Sequence, residues 1–189
     1  MKYLYAIFGL ILTLSGSIAA GGSYKAEMDV DTYVDSNNAN QSFSEDKLLW
    51  ISSADGVPTK EAYLSFVNTF GSIGIFRPEN VESAKLKLNA ERVDAPGAVK
   101  AYLIHGAVLD ATWNDRPTYN VTSASSYANV DKVGEYIIDV TPLIKEAVKI
   151  CTEGCPYSIA LVAENNTTLG FASMESSQGK AVLEYTTLD

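Results

Sequence analysis

Strict alternation of apolar and polar residues is the main pattern along this chain. It is clearest in segment 81–93, where apolar residues occupy every second position. The residues predicted to face a core there are Ala84, Leu86, Leu88 and Ala90. Their neighbours, predicted to face water, are Lys85, Lys87, Asn89 and Glu91. A period of two is typical of a β-strand with one buried face.

Shorter stretches with this pattern, and short apolar runs, recur between turn residues. Further strands are predicted at 29–35, 48–52, 62–66, 99–104, 136–140, 157–163, 169–174 and 181–187. Residues 106–133 are predicted to be mostly loop. About nine short strands separated by turns favour an all-β fold, a two-sheet β-sandwich or jelly roll.

A single segment has helical periodicity, and it lies in the middle of the unit formed by residues 134–163. Thr141 is predicted to cap a short helix near 142–150, and Pro142 suits its first position, where an amide hydrogen is not needed. The apolar face of this helix consists of Leu143, Ile144, Ala147 and Val148. Because so short a helix is marginal alone, it is predicted to lie across a sheet or to cap its end.

The amino terminus differs in composition from the rest of the chain. Residues 1–20 contain Lys2, an apolar core and a small-residue cleavage pattern, which predicts a signal peptide; a retained anchor is the alternative. Removal of this segment leaves no stable membrane span. Residues 21–28 form a polar arm, interpreted either as a disordered terminus or as a strand that adds to a neighbouring copy. Residues 29–189 are predicted to form one domain.

Charge and motif content restrict the possible functions. The sequence has 23 Asp and Glu against 14 Lys and Arg, a formal net charge of -9. We therefore expect no binding to nucleic acids or anionic membranes, because like charges repel. The single histidine, His105, has no nucleophile motif at a fixed spacing, so a structural role is favoured for it. The sequence predicts a protein that is not an enzyme.

Two further features suit an exported protein. Cys151 and Cys155 lie four residues apart, and in an exported chain such a pair favours a disulfide over a metal or redox site. Asparagines in glycosylation sequons, all within predicted loops, are Asn40, Asn120, Asn165 and Asn166. The predicted location is therefore extracellular or at the cell surface.

A series of short motifs, in this order, resembles the disaggregatase-related (DNRLRE) domain. The matching segments are 31–35, 62–66, 81–88, 112–117, 139–144, 157–162 and 171–175. The resemblance covers nearly all of residues 29–187. It implies a secreted, non-catalytic jelly roll similar to galactose-binding modules, of a kind attached to polysaccharide-active enzymes and large surface proteins. Some such modules bind acidic or neutral glycans, and related jelly rolls often hold a structural calcium ion.

Carboxylates suggest where a calcium ion could bind. The candidate ligands are Asp29, Asp31, Asp35 and Glu175. The three aspartates share one face of the strand at 29–35, opposite Val30, Thr32 and Val34. Calcium prefers six to eight oxygen ligands, to which neighbouring asparagines could add. The competing and favoured interpretation is a solvated acidic edge that opposes aggregation.

Aromatic and polar residues suggest where a glycan could bind. The candidates, chosen because aromatic faces stack on sugar rings, are Tyr33, Trp113, Arg116 and Tyr119. Trp113 is predicted to lie in a loop at the end of a sheet, a common place for binding residues. The competing and favoured interpretation is that Trp113 packs over the core while 114–117 forms a turn.

Three functions remain, in order of preference. The first is a non-catalytic, calcium-assisted module that binds polysaccharide at the cell surface or in a matrix. The second is a subunit of an extracellular filament or coat, whose partners are copies of itself joined through residues 21–28. The third is a lyase or hydrolase, because carboxylate pairs for sugar cleavage are spatial and have no fixed spacing in sequence.

Overall fold

The computed structural model describes residues 21–26, 28–119 and 125–188. The predicted signal peptide at 1–20 and the sequon at Asn120 lie outside these ranges. The strands are β1 (Ser23–Lys25), β2 (Met28–Asp35), β3 (Leu48–Ala54), β4 (Val57–Val67), β5 (Val81–Ala95), β6 (Gly97–His105), β7 (Ser125–Val130), β8 (Gly134–Asp139), β9 (Pro156–Ala163), β10 (Thr168–Ala172) and β11 (Val182–Thr187). The one α-helix in these ranges is α1 (Thr141–Ile150).

All strand pairs are antiparallel, and the sheet is curled. The order is β1-β11-β5-β10-β3-β4-β9-β6-β7, with β2 paired to β4 and β8 paired to β5. One half of the sheet is β1-β11-β5-β10 with β8, and the other half is β3-β4-β9-β6-β7 with β2. Pairing of β10 with β3 joins the two halves. One apolar core contains side chains from both halves, such as Leu86 of β5, Leu64 of β4 and Ile159 of β9. The predicted all-β fold of the sandwich or jelly-roll type is confirmed.

The alternation in 81–93 is confirmed, because the four residues predicted there to face the core are all buried. Helix α1 also forms where it is predicted, and its apolar face is buried against the core. The predicted cap is wrong, since Thr141 is the first helical residue and its amide donates to the carboxylate of Asp139 at 2.9 Å. The Thr141 hydroxyl instead accepts from the amide of Ala84 in β5 at 2.8 Å, which ties the helix to the sheet. None of the helices in the described ranges has both the length and the apolar character needed to span a membrane.

Two strands lie outside the nine predicted ones. Strand β7 falls within 106–133, which is predicted as mostly loop, and it pairs with β6 at the end of the sheet. Strand β1 lies in the arm and pairs with β11 of the same chain, Ser23 opposite Thr186. Part of the arm is therefore an ordered strand that pairs within its own chain, while addition to a neighbouring copy stays a prediction.

The predicted disulfide between Cys151 and Cys155 is confirmed, and it closes the turn between α1 and β9. This turn is hydrogen-bonded to the loop after β4. The amide of Asn68 donates to the Cys155 carbonyl at 3.1 Å, and the Gly154 amide donates to the Asn68 carbonyl at 2.9 Å. The disulfide therefore restrains a turn that already has backbone partners.

Loss of this disulfide should destabilise the protein only moderately. Closing so short a loop removes little conformational entropy from the unfolded chain. We expect the double variant Cys151→Ser and Cys155→Ser to lose about 2 kcal/mol of unfolding free energy. Urea denaturation measures this loss. Adding a reductant should lower the midpoint of the parent protein and leave that of the variant unchanged; a loss well above this value would show that the bond also holds the folded turn together.

Candidate functional site

The half of the sheet formed by β4, β9 and β6 has two covered faces. One face lies on the main core. Side chains on the other face, called the outer face here, form a second apolar cluster of Val34, Tyr63, Tyr102, Ile104, Val108, Ala111, Ala160 and Val162. Val108 and Ala111 of this cluster belong to segment 106–119, which follows β6. The outer face is therefore built from strands and partly covered by the segment that carries Trp113.

A pair of buried serines fixes the start of that segment. Ser65 of β4 and Ser158 of β9 are directly opposite in register, and their hydroxyl oxygens are 2.7 Å apart. The Ser65 hydroxyl accepts from the amide of Val108 at 2.9 Å, and the Ser158 hydroxyl donates to the carbonyl of Gly106 at 2.8 Å. Because these groups are buried, the hydrogen bonds position the segment firmly on the sheet.

Further along the segment, side chains enclose a cleft of about 420 Å³. Its lining consists of Glu61, Trp113, Asn114, Arg116, Pro117, Thr118 and Tyr119. Trp113 is half-buried, and the Arg116 guanidinium lies over its indole, 4.0 Å from the ring centroid. Arg116 also donates from Nη1 to the Trp113 carbonyl at 2.9 Å. Arg116 therefore covers one face of the indole, and the ring also packs against the outer-face cluster, so a ligand can contact only the exposed part of Trp113, beside a cation.

Glu61 of β4 lies at the base of this cleft, with only 3% of its side chain exposed. It accepts hydrogen bonds from the hydroxyls of Tyr63 at 2.7 Å and Tyr119 at 3.0 Å. Arg116 places Nε 3.8 Å from the same carboxylate. Burial and the Glu61 carboxylate raise the pKa of both tyrosines well above the usual range, so both remain donors at neutral pH. The buried carboxylate is thus hydrogen-bonded and paired, as a charge removed from water requires.

A second cleft, of about 270 Å³, adjoins the first. It is lined by Gly56, Pro58, Lys100, Tyr102, Tyr119, Val162, Ala163, Glu164 and Asn165. Tyr119 lines both clefts, and its ring stacks on Tyr102 with centroids 5.0 Å apart. Lys100 forms an ion pair with Glu164 at the rim. The two clefts together give a surface of aromatic faces bordered by hydrogen-bonding groups, which suits sugar rings and their hydroxyls.

Three of the four predicted glycan-binding residues come together here: Trp113, Arg116 and Tyr119. The fourth, Tyr33, does not. It lies on the main-core side of β2, 5% exposed, stacked on Phe43 with centroids 4.3 Å apart. Its hydroxyl donates to Asp46 at 2.9 Å. The face of the Tyr33 ring is therefore occupied by the protein itself and lies on the opposite side of the sheet from Trp113.

The predicted calcium ligands have four different environments. These residues are Asp29, Asp31, Asp35 and Glu175. Asp35 is buried and bound to Lys60 Nζ at 3.1 Å. Asp31 is buried and accepts from the Met174 amide at 2.9 Å, whereas Asp29 and Glu175 are exposed. Within the described residues, no three acidic, histidine or cysteine side chains form a group that could hold a metal ion. Asp31 and Asp35 do not form part of the expected solvated acidic edge, because both are buried in β2, while calcium binding stays a prediction.

The remaining predicted residues are found at the surface. His105 is exposed at the end of β6. The sequon asparagines Asn40, Asn165 and Asn166 are exposed too. Asn40 accepts a hydrogen bond from the side chain of Asn114 in the Trp113 segment at 2.8 Å, and Asn165 lines the second cleft. Glycosylation at either position would therefore place a glycan beside the clefts; use of the sequons stays a prediction.

Glu61 is the main site residue that the sequence interpretation missed, together with its partner Tyr63. The signal was present in strand β4, where Glu61, Tyr63 and Ser65 alternate with Ala62, Leu64 and Phe66. The second set faces the main core, so the first set must lie on the outer face. Glutamate in the middle of a strand with two buried faces indicates a carboxylate with a specific partner.

Comparison with protein families agrees with this geometry. A model of carbohydrate-binding module family 96 matches residues 23–187, nearly all of the described chain. A comparison with curated proteins finds no match. The family match confirms the carbohydrate-binding part of the resemblance and is consistent with a non-catalytic module, while the name disaggregatase-related domain stays a prediction. The chain therefore belongs to carbohydrate-binding module family 96.

Proposed function

We propose that the protein binds polysaccharide through the outer face, with the Trp113 indole stacked on a sugar ring in the first cleft. One observation carries this proposal: Trp113 is held half-buried above a cleft whose base is the buried, hydrogen-bonded Glu61. Each oxygen of a carboxylate has two lone pairs, so Glu61 can still accept from sugar hydroxyls. Membership of a carbohydrate-binding family supports the same ligand class.

We further propose that the glycan is neutral. Both cations in the clefts already face carboxylates, Arg116 near Glu61 and Lys100 paired with Glu164. A uronic acid in the first cleft would come close to Glu61, and the whole chain carries a formal net charge of -9. Like charges would weaken the approach of an acidic polysaccharide, so neutral chains should be retained more strongly at low ionic strength.

Export to the cell surface and a structural calcium ion are part of the same proposal. The pattern of residues 1–20 and the disulfide support export. For calcium, the local support is that the buried Asp31 carboxylate accepts a hydrogen bond from the amide of Met174, the residue next to Glu175. Thermal unfolding in calcium and in a chelator tests this directly, because a bound ion raises the midpoint.

The Trp113→Ala variant tests the binding site itself. Removal of a stacked aromatic face should weaken binding at least about tenfold. Affinity gels containing neutral polysaccharides, such as galactomannan and hydroxyethyl cellulose, measure retention. The matched control is Trp50→Phe, which changes the only other tryptophan, on β3, and should retain full binding.

The control variant also gives an independent signal. In Trp50→Phe, Trp113 is the one remaining tryptophan of the sequence, so a bound sugar should change the intrinsic fluorescence. Unchanged retention of Trp113→Ala would contradict the site. If the parent protein is retained by neither neutral nor acidic polysaccharides, the proposed function fails as a whole; retention by acidic polysaccharides alone contradicts only the neutral ligand.

Self-association is the alternative function, and the position of strand β1 at the end of the sheet is the observation that favours it. β1 is a three-residue strand at the end of the sheet, paired with β11. Addition of this strand to a neighbouring copy would exchange a pairing that exists within one chain, which is a domain swap. Electron microscopy of the mature protein distinguishes the functions, because ordered filaments would make assembly the primary role.

A further inference from the structure

We infer that the second cleft, together with Tyr127 of β7, forms an additional subsite that binds further sugar residues of the same polysaccharide chain. This inference rests on the proposed function. A ligand that fills both clefts is an extended sugar chain that crosses the strands, rather than a single terminal sugar. The evidence comes from strand register, exposure and the continuity of the two clefts.

Strand register places Tyr127 on the same face as Glu61. Directly opposite residues of antiparallel strands point to the same side of a sheet. The paired positions that cross the sheet in one row are Val34, Glu61, Val162, Lys100 and Tyr127. Glu61 and Lys100 each line one of the clefts, so this row runs beneath both. Val34 and Tyr127 are the two ends of this row, and Tyr127 is the end farther from Glu61.

The same row gives the length of the surface. Three strand spacings separate Glu61 from Tyr127, which is about 14 Å. A single pyranose ring is much shorter than this. Tyr119 lines both clefts, so the aromatic surface that begins at Trp113 in the first cleft continues into the second. A chain stacked on Trp113 could therefore reach Tyr127 only with several linked sugars.

The chemistry of the second cleft resembles that of the first. Its aromatic rings come from Tyr102 and Tyr119, which stack on each other, and its polar groups come from Lys100, Glu164 and Asn165. Tyr127 is 70% exposed, more than any other large apolar side chain in the described ranges. A single exposed aromatic needs no function by itself. Its position in register with Lys100, beside a cleft that continues from the Trp113 site, is what indicates a binding role.

Affinity as a function of ligand length tests this inference. The probes are cellohexaose and mannohexaose with the corresponding disaccharides, titrated by calorimetry. We expect Tyr127→Ala to weaken hexasaccharide binding about three- to tenfold, because one stacking contact is lost. Disaccharide binding in the Trp113 cleft should not change. Trp113→Ala should weaken both. Ile137→Ala, which truncates an exposed residue on β8, is the matched control and should change neither.

The outcomes separate this inference from the proposed function. If Tyr127→Ala binds the hexasaccharide as tightly as the parent, or weakens disaccharide and hexasaccharide equally, the additional subsite is wrong while polysaccharide binding stands. If the parent binds neither these oligosaccharides nor any neutral or acidic polysaccharide in gels, both proposals fail. Equal affinity of the parent for disaccharide and hexasaccharide would also overturn the subsite.

Discussion

Replacing Glu61 by alanine should lower the free energy of unfolding by about 2–4 kcal/mol, because two tyrosine hydroxyls lose their acceptor and each such loss costs about 1–3 kcal/mol. The carboxylate is the acceptor for Tyr63, which is fully buried, and for Tyr119. Without it, both hydroxyls lose their partner inside the protein, and Arg116 loses its nearest carboxylate. Urea denaturation followed by circular dichroism measures the loss.

Two variants make this prediction specific. Glu61→Gln keeps the shape and one acceptor oxygen, so its loss should be about 1–2 kcal/mol. Glu164→Ala removes another carboxylate of the outer face, but its pair with Lys100 is about one-third exposed at both ends, so we expect a loss of at most about 1 kcal/mol. A midpoint for Glu61→Ala equal to that of Glu164→Ala would show that Glu61 does not organise the site.

Much of the fold follows from alternation, and the exceptions have physical reasons. Segment 81–93 has one apolar and one polar face, so an alternation of period two identifies both the strand and the face that is buried. Strand β7 has the sequence SSYANV, in which the apolar residues are few, and its partner β6 stabilises it through backbone pairing that no local pattern reports. Strand β1 is only three residues long and depends in the same way on β11.

The site was harder to predict because it depends on which face of each strand is covered. In β2 the alternation is correct, yet both faces are buried from residue 31 to 35, so Asp31 and Asp35, expected in water, are enclosed. Residue type alone groups Tyr33 with Trp113, although the sheet separates them. The sequence groups Trp113, Arg116 and Tyr119 correctly as one candidate site, because they are close along the chain. Glu61 reaches them only through the register of β4 and the path of segment 106–119.

Asp31 is expected to make the stability of the protein depend on pH. Burial raises the pKa of its carboxyl group from 3.8 to about 6; the Met174 amide opposes this shift, Glu175 adds to it and Lys180 opposes it. The folded state therefore binds the proton more tightly than the unfolded chain. The resulting penalty on folding is fully present above about pH 6 and disappears as the pH falls to 3.8. A difference of about two pKa units corresponds to at most about 3 kcal/mol.

In the presence of a chelator, the Asp31→Asn variant should therefore be more stable than the parent at pH 7.5, by up to about 3 kcal/mol, and no more stable near pH 3.5. The asparagine oxygen can still accept from the Met174 amide, so the hydrogen bond between β2 and the turn after β10 is kept. Asp29→Asn, on the same strand but exposed, is the matched control and should show no such gain. Thermal unfolding across this pH range measures both. An equal gain in Asp29→Asn would mean that removal of negative charge in general causes the effect, and equal stabilisation of Asp31→Asn at every pH would mean that the Asp31 charge is not its cause.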